Sequence, residues 1–136
     1  MTPTSRSLAF LRREGFTVAV VEKWIPKLNV RADLWHFGDV LAVHPVRREF
    51  LIVQTTSAAN VSSRLTKARG CPELATWLRA GGLFEVHGWD QRNGRWAVRR
   101  VGVLARELEP IALAELPRNR RRDRHQPADL FAGLGE

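Results

Sequence analysis

Apolar positions along the chain alternate between helical and extended spacing. Residues from about Ser5 to Glu14 place Leu8 and Leu11 three apart, with Arg12 and Arg13 just before Gly15. This predicts a short helix with cations in its last turn and a glycine after its end. FTVAVVEKW is β-branched and apolar, which predicts a strand from Phe16 to about Glu22. Pro26 and Asn29 mark a loop running to about Gly38. DVLAVHP (Asp39 to Pro45) and EFLIVQTTS (Glu49 to about Thr56) are nearly continuous apolar runs. Such runs predict two strands buried on both faces in the centre of a covered sheet. A helix follows from Ser57, with Ala58, Val61, Leu65 and Ala68 on one stripe. Gly70 interrupts it, Pro72 opens a second helical piece to about Ala80, and Gly81–Gly82 stops that piece. LFEVHGWD and RWAVRRVGVL then read as two strands joined at Asn93–Gly94. ARELEPIALAEL continues as weak helix or coil.

The order is helix, three strands, a helical crossover and two strands, with no internal repeat. That predicts an α/β fold: a mixed sheet flanked by helices, in one domain spanning residues 1–116. PRNRRRDRHQPADLFAGLGE, residues 117–136, has no sustained apolar period and reads as a basic tail. No apolar run approaches the ~18–20 residues of a membrane-crossing helix. MTPTSRSLAF lacks the apolar segment of a signal peptide, so the expected location is cytoplasmic, with no membrane partner. A single Cys71 excludes an internal disulfide and a cysteine zinc site.

Charge adds a partner to this picture. The 22 Lys+Arg exceed the 14 Asp+Glu for a net +8. Five arginines against three acids lie from Pro117 onward, so +6 of that excess belongs to the remainder. An Arg excess can arise from base composition alone. Concentrated on a domain, it points to an anionic partner, with nucleic acid first.

The second and third strands bring candidate chemistry together. With a four-residue loop Val46–Glu49, Pro45 pairs with Phe50, Val43 with Ile52, Leu41 with Gln54 and Asp39 with Thr56. Asp39, Gln54 and Thr56 then share a face at the end away from the turn. A buried, unpaired carboxylate is strongly unfavourable. Side-chain oxygens of Asp and Gln suit a hard divalent cation such as Mg²⁺. Glu22 can supply a second carboxylate, and Asp33 in RADLWHFGD is a spare acid, with the choice between Asp33 and Asp39 as key acid left open. Arg31 or Arg64 serves equally well to neutralise Asp39 in a structural ion pair.

GDVLAV with Asp39, followed by LIVQTTS with Gln54 and Thr56, resembles the PD-(D/E)XK nuclease superfamily, which includes restriction endonucleases and Holliday-junction resolvases. The resemblance covers about residues 5–90. It is similar in particular to small resolvase-like proteins that carry the pattern seen here as DLWHFGD, QTTS and Arg64. Gly38 replaces the Pro of the first motif, Gln54 stands at the acid position and Thr56 at the Lys position. The resemblance implies a restriction-endonuclease-like sheet and DNA hydrolysis assisted by Mg²⁺ or Mn²⁺. The metal would be held by Asp39, Gln54, Glu22 and the Thr55 carbonyl. Thr56 offers a hydrogen bond but no charge where the Lys would stabilise the transition state, and loss of such a stabiliser costs on the order of 10²–10³ in rate. Asn60, Arg64 and Lys67 share a helix face, and Arg64 is the nearest stand-in. Arg31, Arg47, Arg48, Arg64, Lys67, Asn60 and the tail arginines Arg120, Arg121 and Arg122 would track a nucleic-acid backbone, DNA ahead of RNA. Trp35 would face the substrate. Resolvase-like folds often form homodimers. The alternatives are a degenerate relative that binds nucleic acid without cutting it, or a phage structural or assembly protein.

The remaining features lack such patterns. His36, His44, His87 and His125 show no metal-ligand spacing, and there is no GxSxG, P-loop or GxGxxG. His87 alternates with Glu85 and Trp89, so these three share a strand face, where a packed or hydrogen-bonded histidine is expected. The helical pair after Ser57 is flanked by strands, which argues against a helix-turn-helix reader.

Overall fold

The computed structural model describes residues 1–107, and the expected tail lies outside them. Helix α1 (Pro3–Arg13) is capped by the Thr2 hydroxyl, which accepts from the Ser5 N–H, and has Pro3 at its first position. Strand β1 (Thr17–Val20) follows, then two three-residue strands, β2 (Lys23–Ile25) and β3 (Val30–Ala32). Next come β4 (Val40–His44), β5 (Glu49–Ser57), a 3₁₀ turn over Ala58–Asn60, α2 (Val61–Arg69), α3 (Pro72–Arg79), β6 (Leu83–Arg92) and β7 (Arg95–Gly102).

Five strands form one mixed sheet in the order β1-β4-β5-β6-β7, and β2-β3 make a separate antiparallel ribbon. Among the described strands only the β5–β6 pair is parallel. A parallel pair needs a long crossover, and α2 and α3 provide it. The central strand β5 is buried continuously from Leu51 to Thr56, its polar Gln54, Thr55 and Thr56 included, whereas β4 alternates buried and half-buried positions. Alternate faces of the sheet feed two cores. Leu11 and Phe16 pack with Val40, Ala42, Leu51 and Val53 beneath α1. Val61, Leu65, Ala68, Leu74 and Leu78 of α2 and α3 pack with Ile52, Phe84 and Val86 on the other face. The result is a mixed sheet between helical layers, the expected α/β class. No described helix is long and apolar enough to cross a membrane.

Two expectations change. The expected loop from Pro26 supplies the turn, Pro26–Asn29 with Asn29 at φ 51°, and the second strand of a ribbon whose first strand, β2, precedes it. The β4–β5 loop begins one residue earlier than expected, at Pro45, so His44 pairs with Glu49 and Val43 with Phe50. His44 drives that shift. Its Nδ1 accepts from the N–H groups of Val46 and Arg47, and its Nε2 lies 3.1 Å from the Glu14 carbonyl oxygen. The ring thereby folds the turn and ties it to the end of α1. The net slip is two residues, and an even slip leaves every side chain on its expected face.

Candidate metal centre

The slip sets Gln54 across from Asp39, one step beyond the Val40–Val53 pair. The Asp39 N–H bonds to the Val53 carbonyl at 2.9 Å, which fixes the aspartate at the entrance of β4. Its Oδ2 accepts from three donors: the Thr55 N–H at 2.7 Å, the Gln54 amide at 2.9 Å and the Thr55 hydroxyl at 3.2 Å. Thr55 Oγ1 in turn lies 2.8 Å from Thr4 Oγ1, so the first turn of α1 closes one side of the site.

Two further carboxylates converge on Asp39. Ligand oxygens of Glu22, Asp33 and Asp39 all lie within 4.8 Å of one another. Glu22 directly precedes β2 and Asp33 directly follows β3, so the ribbon brings both acids to the mouth of β4. The three carboxylates line an open cavity of about 220 Å³ with Pro3, Thr4, Gln54, Thr55 and Arg64. Burial pushes Asp39 up to about 7. A carboxyl–carboxylate hydrogen bond with Asp33 and the charges of Asp33 and Glu22 push the same way, against the downward pull of the Thr55 N–H. Neighbouring cations neutralise the cluster only in part. Arg31 pairs with Glu22 at 2.9 Å, and Lys67 stands 4.0 Å from Asp33.

The sequence-predicted residues therefore divide. Asp39, Glu22, Gln54, Thr55 and Arg64 come together. The hydroxyl that reaches Asp39 belongs to Thr55, not Thr56. Thr56 shares its strand face with Ile52 and Gln54, is buried, and does not line the cavity. Thr55 meets Asp39 through its N–H and hydroxyl rather than offering its carbonyl. Gln54 presents its amide nitrogen, not its oxygen, to Asp39 and at 3.3 Å to Asp33. Arg47 and Arg48 sit in the β4–β5 turn at the opposite end of the strands, where Arg47 pairs with Glu14 at 3.2 Å. Asn60 donates to the Ser57 hydroxyl at 3.0 Å. Trp35 is exposed at φ 51° and rests against Phe37 and Trp77. Arg120, Arg121 and Arg122 lie outside the described residues. Asp33, only a spare acid in the sequence, is a full member of the cluster. Its signal was the antiparallel ribbon: extending the Lys23–Ala32 pairing by one step places Glu22 opposite Asp33.

Three carboxylates are a hard, all-oxygen donor set, which fits a Mg²⁺- or Mn²⁺-sized cation that retains waters. The mutual repulsion that helps push Asp39 up is what a cation at this place would relieve. No family model, curated protein or solved structure matches the chain.

Proposed function

We propose that this protein is a metal-dependent nuclease of the PD-(D/E)XK type that hydrolyses DNA phosphodiester bonds. The observation that carries the reading is the convergence of Glu22, Asp33 and Asp39 at the mouth of the β4–β5 hairpin. The element order supports it: a leading helix, sheet strands β1, β4 and β5, a helical crossover and the parallel strand β6 follow the restriction-endonuclease-like sequence of elements, with the β2–β3 ribbon inserted after the first strand. A divalent cation at such a site supplies Lewis-acid polarisation of the phosphate and a water of lowered pKa.

The chain's own residues supply the rest. Glu22, Asp33 and Asp39 hold the cation, and Thr55 orients Asp39 through two hydrogen bonds. Arg64 on the cavity wall and Lys67 beside Asp33 carry positive charge from α2 to a bound phosphate. They stand in for the lysine that Thr56 replaces. One specific feature favours the second reading, nucleic-acid binding without cleavage: Gln54 turns its NH₂ group toward Asp33 and Asp39, and its oxygen ligates a metal only after an amide flip.

Branched, duplex and single-stranded DNA incubated with the protein in Mg²⁺ or Mn²⁺ separate the two readings. Cleavage by the parent that vanishes in Asp33→Ala supports the enzyme. DNA retention without cleavage by either protein transfers the conclusion to the binding module. Neither retention nor cleavage removes both.

Cation affinity should also depend on pH. Asp39 holds its proton up to about pH 7, and a cation must displace it. Apparent Mg²⁺ affinity should therefore rise by up to about tenfold per pH unit below pH 7 and level off above it. Calorimetric titration across that range checks this, and a flat profile excludes Asp39 as a ligand.

A further inference from the structure

The β2–β3 ribbon grows directly out of the acidic cluster. From Lys23 to Arg31 every residue except Ile25 is exposed. The segment 23–32 carries Lys23, Lys27 and Arg31 and no acidic residue. It also exposes Trp24 (50 %), Leu28 and Val30. A solvated hairpin arm has no structural need for a tryptophan, because burial of that ring is what stabilises a fold.

The pairing register decides which way the ring looks. Trp24 pairs with Arg31, and cross-strand partners share a face. One step back along the ribbon, Lys23 and Ala32 point to the other face. One step further, Glu22 and Asp33 return to the Trp24 face. The ion pair from Arg31 to Glu22 agrees with this placement. A single ribbon face therefore carries, in order, the two acids of the candidate metal centre and then an aromatic–guanidinium pair.

We propose that this arm is the strand-gripping element of the site. Trp24 stacks on an unpaired base next to a phosphate that a cation on Glu22 and Asp33 would hold, and Arg31 contacts the flanking backbone. The inference rests on the nuclease reading above and adds a substrate class: single-stranded or splayed nucleic acid, whose base faces are open to stacking. Charge complementarity selects this occupant. Cations on an acid-free arm suit a phosphodiester chain. The acids at its foot oppose close approach of a flat anionic bilayer, which would meet them together with the ring.

The test measures binding of a short single-stranded oligonucleotide with hydrolysis-resistant phosphorothioate linkages, in Mg²⁺, beside the duplex of the same sequence and anionic phospholipid vesicles. Trp24→Ala should weaken single-strand binding about 5- to 150-fold, the range for loss of one base–aromatic stack. It should change duplex binding far less. Trp24→Phe should restore most of the affinity, and Trp96→Ala, which removes an exposed ring elsewhere, should leave it near the parent's. The Mg²⁺-induced shift in Tm should be the same in Trp24→Ala and the parent. Unchanged single-strand affinity in Trp24→Ala overturns the proposal while leaving the metal centre intact, as does vesicle binding in place of oligonucleotide binding. A parent that shows no Mg²⁺ shift and binds no oligonucleotide overturns the nuclease reading and this inference with it.

Discussion

Asp39→Asn is expected to stabilise the protein above pH 7 while removing its response to divalent cations. The direction follows from proton linkage. Asp39 is 4 % exposed and holds its proton to about pH 7, against an ordinary value of 3.8. Between these values the unfolded carboxyl is ionised and the folded one is not, so the folded state binds more protons. Stability from this group is complete below about pH 3.8 and is lost as pH rises through 7. Asparagine is nearly isosteric and carries no charge to bury beside Glu22 and Asp33. The gap between variant and parent should open from about pH 4 and reach its full size near pH 8. Each kcal/mol relieved corresponds to about 4 °C in Tm for a domain between the 60–100- and 150–250-residue classes.

Cation binding should reverse that gap in the parent alone. Mg²⁺ or Mn²⁺ bound by the cluster would take the place of the proton on Asp39 and should raise the parent's Tm more at pH 8 than at pH 5. Asp39→Asn should show little shift at either pH, and cleavage should fall by on the order of 10²–10³ or more. Thermal melts at the two pH values with and without Mg²⁺ read both effects together. A variant less stable than the parent at pH 8 contradicts the strained cluster, and an undiminished cation shift contradicts its role as a ligand. The sacrifice of stability at a functional site is the trade-off expected there.

Much of this arrangement was legible because the signals were local. α1, β5, the Gly70–Pro72 break between helices and the Asn93–Gly94 hairpin each announce themselves within a few residues, through a cap, an apolar run or a turn dipeptide. The faces of Asp39 and Gln54 were legible for a subtler reason: the register was wrong by two, and strand faces repeat every two residues. What stayed hidden depended on partners far along the chain. Strands of three residues are too short to show alternation, so neither the pairing of β2 with β3 nor the juxtaposition of Glu22 and Asp33 is legible locally. Thr55 and Thr56 are chemically identical in the sequence. Only the position of Asp39 just ahead of β4, with its carboxylate reaching the next N–H of β5, selects Thr55. Arg47 and Arg48 looked close to the acids because they are close in sequence, whereas a hairpin places its turn at maximal distance from its open end.

His87→Ala is expected to cost about 3–5 kcal/mol without touching the candidate site. Its ring is fully buried between the Ser7 hydroxyl (3.0 Å from Nδ1) and the Glu85 carboxylate (2.9 Å from Nε2). Trp89 Nε1 donates to Ser7 Oγ at 2.9 Å, and Arg100 grips Glu85 with two bonds of 3.0 Å. Burial raises Glu85, but the hydrogen bonds from His87 and Arg100 outweigh it and hold the carboxyl below its ordinary value. Nε2 donates to the ionised Glu85, and Nδ1 meets the Ser7 hydroxyl, which accepts from Trp89. The sequence Ser7–His87–Glu85 has the order of a nucleophilic triad, but Ser7 and His87 are both 0 % exposed, so the hydroxyl cannot reach a substrate. The arrangement instead bolts α1 to β6. Truncating the ring leaves an aromatic-sized void and removes the Ser7 hydroxyl's partner at Nδ1. Urea denaturation should show the loss in His87→Ala and a smaller one, about 1–2 kcal/mol, in Ser7→Ala. Both variants should keep the parent's Mg²⁺-induced shift in Tm at temperatures where they remain folded. A loss below about 1 kcal/mol in His87→Ala would contradict the bolt, and loss of DNA cleavage in a folded Ser7→Ala would make the triad a working one.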